Sequence, residues 1–175
     1  MEMTLILQKV RRMEKERLKF CINRFDHFYD NVNNKSNVLL GLGTFVIGGL
    51  IAIYPYLVEH SKCPDMIWPL VLIPGGLAFS ALLIVIIASI PYLSREKSSL
   101  YYFNSIANKE FEVFSDESEN IETEEELKDL KMQVHNLALG LRRKFKRLRI
   151  ASIFYTIMFV SMLPLFLFIL LNFKK

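Results

Sequence analysis

Three stretches of the chain carry no charged side chain: Ser36 to Val58, Met66 to Ser94 and Ile150 to Phe173, of 23, 29 and 24 residues. A helix rising about 1.5 Å per residue needs roughly 20 residues to cross a hydrocarbon core about 30 Å thick. Each stretch is long enough. Lipid offers no water to satisfy an open strand edge or a loop, so a helix with all its backbone bonds internal is the form these stretches must take. The pattern predicts an all-α integral membrane protein with three transmembrane helices and cytoplasmic amphipathic helical extensions.

The polar remainder is patterned too. Ile6, Val10, Met13, Leu18, Cys21, Phe25, Phe28 and Val32 recur at helical spacing with one slip of phase, which predicts an amphipathic helix from Thr4 to about Asn34, packed on another helix of the protein or lying on the lipid surface. Leu127, Leu130, Val134, Leu137, Leu141, Phe145 and Leu148 mark a second apolar face. Thr123 followed by Glu126 reads as a capping box at its start, with acids in the first turn and bases in the last. No breaker separates Leu148 from Ile150, so this helix is expected to run straight into the third span. Prolines 55, 64, 69 and 74 surround the connector from Glu59 to Asp65; they predict a chain reversal and a helix start near Pro74, with the second span reaching Leu93 and Pro91 near its end. Ser115 to Asn120 reads as a flexible loop. The expected organisation is residues 1–36 as an N-terminal amphipathic helix, 37–93 as a two-helix transmembrane hairpin, 94–149 as a cytoplasmic linker and helix, and 150–175 as the third span.

The formal net charge of +4 over 175 residues is modest, and its placement says more than its size. Eight bases precede the first span and eleven lie between the second and third, against Lys62, Lys174 and Lys175 elsewhere. Bases collect on the cytoplasmic side, so the N-terminus is expected inside and the C-terminus outside. Tyr54, Tyr56 and Trp68 fall where interfacial aromatics belong. A polar, base-rich segment precedes the first span and no small-residue cleavage site follows it, so we read no signal peptide. Cys21 and Cys63 flank the first span, which would keep them apart within one chain.

Candidate chemistry is sparse. His27, His60 and His135 are far apart, and no nucleophile, base and stabiliser converge at a recognisable spacing, so the expectation is no enzyme, no metal and no cofactor. The spans hold no ionisable residue, which disfavours an ion-coupled carrier; their interior polar groups are hydroxyls such as Thr44, Ser80, Ser89, Ser152, Thr156 and Ser161. Gly41, Gly43, Gly48 and Gly49 in the first span would let helix backbones approach closely, as a helix-packing or oligomer face. They echo a phosphate-binding loop only loosely, because no strand precedes them. Three helices pack too closely to enclose a lumen, so a pore would need several copies. Ten of the twenty residues from Glu110 to Asp129 are acidic, and six of the eight from Arg142 to Arg149 are basic. Arg142, Arg143, Lys144, Lys146, Arg147 and Arg149 suit lipid headgroups beside a span, and equally the phosphate of a nucleotide signal. Nothing calls for nucleic acid.

Several segments resemble the Pycsar-type transmembrane effectors. Asn33, Asn34, Lys35 and Ser36 leading into Asn37-Val-Leu-Leu-Gly-Leu are similar to that family's approach to its first span. Tyr102, Phe103, Ile106 and Ala107 resemble its Tyr-Phe-x-x-Ile-Ala stretch, and Leu137, Ala138, Lys144, Phe145, Leu148 and Arg149 its helix before the last span. Asn33 stands where the family's aspartate is expected, which bears on what Lys35 can pair with. The related SLATT membrane domains share the general plan. The resemblance implies a bacterial antiphage effector that oligomerises and damages or permeabilises the inner membrane on activation. It further implies a cyclic pyrimidine mononucleotide as signal, made by a partner cyclase. A second reading, from another class, is a membrane adaptor recruiting a soluble partner through its cytoplasmic helices; a membrane enzyme would need a buried catalytic cluster.

Overall fold

The computed structural model describes residues 2–90 and 99–172, and every regular element among them is helical. Pro91, the expected end of the second span at Leu93, the start of the next polar stretch at Arg95, and Lys174 and Lys175 lie outside the described residues. Helix α1 runs from Glu2 to His60. A 3-10 turn at Pro64–Met66 leads into α2, Ile67–Ser89. Two short helices follow, α3 (Phe103–Ala107) and α4 (Phe111–Asn120), and then α5, Thr123–Asn172. Three helical segments are long and apolar enough to cross a membrane: α1, Pro64–Ser89 and α5.

The amphipathic N-terminal stretch and the first span are one helix, since nothing from Asn31 to Ser36 breaks it and the Ser36 hydroxyl donates back to the Val32 carbonyl at 2.9 Å. The last polar helix likewise continues into the third span, as its sequence foretells. Elsewhere the expected boundaries move. α2 begins at Ile67, seven residues before Pro74, and Pro74 sits buried inside it. Pro64 and Pro69 already occupy early positions, where a missing N–H costs nothing, and an interior proline is tolerated among membrane helices. Ser115 to Asn120 is helix rather than loop, the last part of α4. The Asn120 amide donates to the Asp116 carboxylate one turn back at 2.8 Å, and the chain turns extended only at Ile121.

The chain forms two compact units, each drawing on distant segments: residues 1–30 with 91–142, and residues 31–90 with 143–175. In the first, Leu18 of α1 packs with Leu127 and Leu130 of α5, flanked by Ile22 and Val134. Only the later half of the N-terminal apolar stripe is covered, because Ile6, Val10 and Met13 are exposed whereas Leu18 and Val32 are buried. The expected capping box does not close on itself. Glu126 reaches across to Lys15 at 2.6 Å, and the first α5 carbonyl partnership runs from the Glu126 N–H to Glu122.

The second unit is a three-helix bundle. Val46, Leu50 and Leu57 of α1, Ala78, Ala81 and Val85 of α2, and Ala151, Tyr155 and Met158 of α5 form its core. Small alanines on two helices let the backbones come close. Outward-facing residues are large and apolar, among them Phe45, Ile51, Phe79 and Leu170. A helix apolar all round belongs to a lipid surround.

Candidate functional site

Within the bundle α1 and α5 run parallel. The Lys144 ammonium donates to Asn33 Oδ1 at 3.1 Å, the Tyr155 hydroxyl donates to the Leu39 carbonyl at 2.8 Å, and the Lys62 N–H meets the Asn172 carbonyl at 3.4 Å. α2 runs the other way, with its Ile87 carbonyl accepting from the Arg147 guanidinium at 3.0 Å. Ile87 lies in the last turn of α2, where carbonyls lack an intrahelical partner, so Arg147 caps that helix end.

The four glycines separate by environment. A Cβ on Gly43 would collide with the Tyr155 hydroxyl and press on Leu82, so the missing side chain at Gly43 makes room for the Tyr155 phenol of α5. Gly41, Gly48 and Gly49 have nothing within 4 Å of such a Cβ; within one chain they pack on nothing. The span hydroxyls are occupied locally. Thr44, Ser80, Ser89, Ser152, Thr156 and Ser161 each donate to a carbonyl three or four residues back in their own helix. The Tyr155 hydroxyl instead reaches a neighbouring helix, and its signal in the sequence was a phenol inside a span needing a partner.

The basic run also divides. Lys144 and Arg147 hold α1 and α2, and burial pushes the Lys144 ammonium below the ordinary lysine range. Lys144 is half-buried, whereas Arg142, Arg143, Lys146, Arg147 and Arg149 are exposed, as is Lys35 on α1.

In the other unit, the Tyr101 hydroxyl donates to Glu126 at 2.5 Å on the carboxylate that Lys15 also holds. Burial raises the Tyr101 phenol above its usual range, and the bond to Glu126 adds to this. Burial works against the Glu126 charge too, but the bonds from Lys15 and Tyr101 and the charges of Lys15 and Lys19 outweigh it and hold its carboxyl below the usual range. Ser99 is buried and accepts from the Tyr101 and Tyr102 N–H groups and from Gln133. Tyr102 stacks edge-on to Phe103, which is exposed, and its hydroxyl is buried with no hydrogen-bond partner among the described residues. A cavity of about 550 Å³ is lined by Ser99, Asp116, Glu117, Asn120, Glu125, Lys128 and Asp129 among others. Its four carboxylates meet the Lys128 ammonium, and Glu117 is also ion-paired with Lys109; the acidic balance that remains suits a cation better than a phosphate. Cys21 and Cys63 are free thiols, and no group of three or more metal-ligating side chains occurs among the described residues.

The chain matches the family model of the Pycsar effector protein domain over residues 17–172. The chain belongs to this family of Pycsar effectors. Comparison with curated proteins and with solved structures yields no match. As a Pycsar effector it is an antiphage-defence membrane protein, and that membership speaks for a non-enzymatic role. The segments that carry the resemblance fall in both units: Asn33 and Lys35 in the bundle, Tyr102 and Phe103 in the other. Of these, Asn33 meets a residue of the basic run, taking from Lys144 the hydrogen bond that an aspartate would strengthen into an ion pair.

Proposed function

We propose that this Pycsar effector sits in the bacterial inner membrane with its N-terminus in the cytoplasm, assembles into an oligomer, and permeabilises or disrupts the membrane on activation by a nucleotide signal or partner. The carrying observation is the bundle interior: Ala78, Ala81, Val85, Ala151 and Met158 are fully buried there, an apolar lining unsuited to water, which favours a water path formed between copies. Gly41, Gly48 and Gly49, open on the outside of α1, are the close-approach surface on which copies meet. Nineteen of the 22 bases precede the first span or lie between the second and third, which supports the orientation. The signal in this reading is a cyclic pyrimidine nucleotide from a partner cyclase. The carboxylate-lined cavity opposes such an anion, which favours arrival through a partner or a basic surface over uptake there.

The test is expression with the neighbouring genes under phage challenge, followed with a membrane-potential dye. Depolarisation is expected with the native chain and loss of it with Gly48→Leu, at equal membrane insertion. Intact protection at unchanged polarisation would overturn the reading. Greater sensitivity to charge reversal at Arg142 and Arg143 than to Gly48→Leu would favour an adaptor instead.

A further inference from the structure

The bases beside the third span are not one patch. Lys144 and Arg147 each donate to another helix of the bundle, whereas Lys146 and Arg149 are exposed and make no hydrogen bond or ion pair among the described residues. At about 100° per residue, Lys146 and Arg149 share a side of α5 with Ile150, Ile153, Ile157 and Val160. Those four are exposed as well. One side of α5 therefore reads as two bases on top of a bare apolar stripe one helix wide.

Among the described residues no acidic side chain pairs with Lys146 or Arg149. Tyr155, which meets α1, lies nine residues from Lys146, so the two bases are on the side of α5 turned away from α1.

We propose that Lys146 and Arg149 form a seat for anionic phospholipid, their charges on the headgroup phosphate and the acyl chains along the exposed stripe of α5 beneath. A soluble phosphate compound would satisfy the bases alone; only a lipid also covers Ile153, Ile157 and Val160. The seat requires that the spans lie in a bilayer and does not depend on the effector reading.

The experiment uses the full chain purified in mild detergent, titrated with phosphatidylglycerol or phosphatidylcholine and read by the lipid retained in native mass spectrometry. Phosphatidylglycerol is expected to be retained preferentially. The Lys146→Gln/Arg149→Gln variant should lose about 25-fold in apparent affinity, about fivefold per charge removed, the ratio that about 1 kcal/mol per base gives. The control Lys9→Gln/Arg12→Gln removes equal charge from α1 outside the bundle and should leave retention unchanged. Equal retention of the two lipids by the native chain would overturn the seat, and that arm needs no variant to fold. An equal loss in the control would overturn it in favour of a diffuse charge effect. Release of phosphatidylglycerol by micromolar pyrophosphate would overturn it in favour of a soluble phosphate ligand.

Discussion

Gly43 and Tyr155 depend on each other. The phenol donates to the Leu39 carbonyl across the gap that only a missing Cβ leaves open, and Tyr155 is 3% exposed, with little room to retreat. Gly43→Ala should therefore remove the interhelical bond and displace the ring, lowering bundle stability by about 1–2 kcal/mol. Gly48→Ala meets open space and should stay within about 0.5 kcal/mol of the native chain. Unfolding of both variants in detergent micelles checks the difference, and equal effects would break the link. The sequence marks all four glycines alike as small residues in a span. Which one touches its own chain depends on the rotation of α1 against α5, which residue spacing does not encode. The same holds for the basic run: six adjacent charges look uniform until the helix end at Ile87 and the amide of Asn33 single out Arg147 and Lys144.

The long elements were legible because lipid leaves them no alternative. Charge-free length marks the three spans, and the unbroken periodicity from Leu127 to Leu148 foretells the continuous α5. What escaped were features decided by competition between partners. α4 is helical where a loop was expected, with side chains one turn apart bonding to each other, and the Glu126 carboxylate accepts from Lys15 and Tyr101 instead of closing a capping box. That last choice has a pH signature. The folded-state pKa of Glu126 lies below its ordinary value of 4.5, so its contribution is fully present above the unfolded value and is lost as the pH falls through the folded one. Glu126→Gln should lower the stability of its unit by about 1 kcal/mol at neutral pH. The gap to the native chain should close on acidification below the carboxylate range. Unfolding curves followed by circular dichroism across that range test this, and a gap constant down to acid pH would assign the loss to packing.

At the scale of the whole molecule the surrounding solvent decides what is stable. In the bundle, Phe45, Ile51, Phe79, Leu170 and Leu171 face outward, bare, and in water such a surface would drive aggregation. In a bilayer it is matched to its surroundings, and the polar backbone is satisfied inside each helix. An odd number of crossings puts the two ends on opposite faces. Reporter fusions at Met1 and Lys175 in a bacterial host should therefore score as cytoplasmic and external respectively, and alkaline carbonate should leave the protein in the membrane pellet. Two ends on one face would mean that one apolar helix does not cross. The first to question would be α2, because among the described residues that helix carries no charged side chain to anchor it. Both outcomes bear directly on permeabilisation, since a chain with two crossings would present different surfaces to its neighbours, and Gly41, Gly48 and Gly49 would have to find their partner in another arrangement of helices.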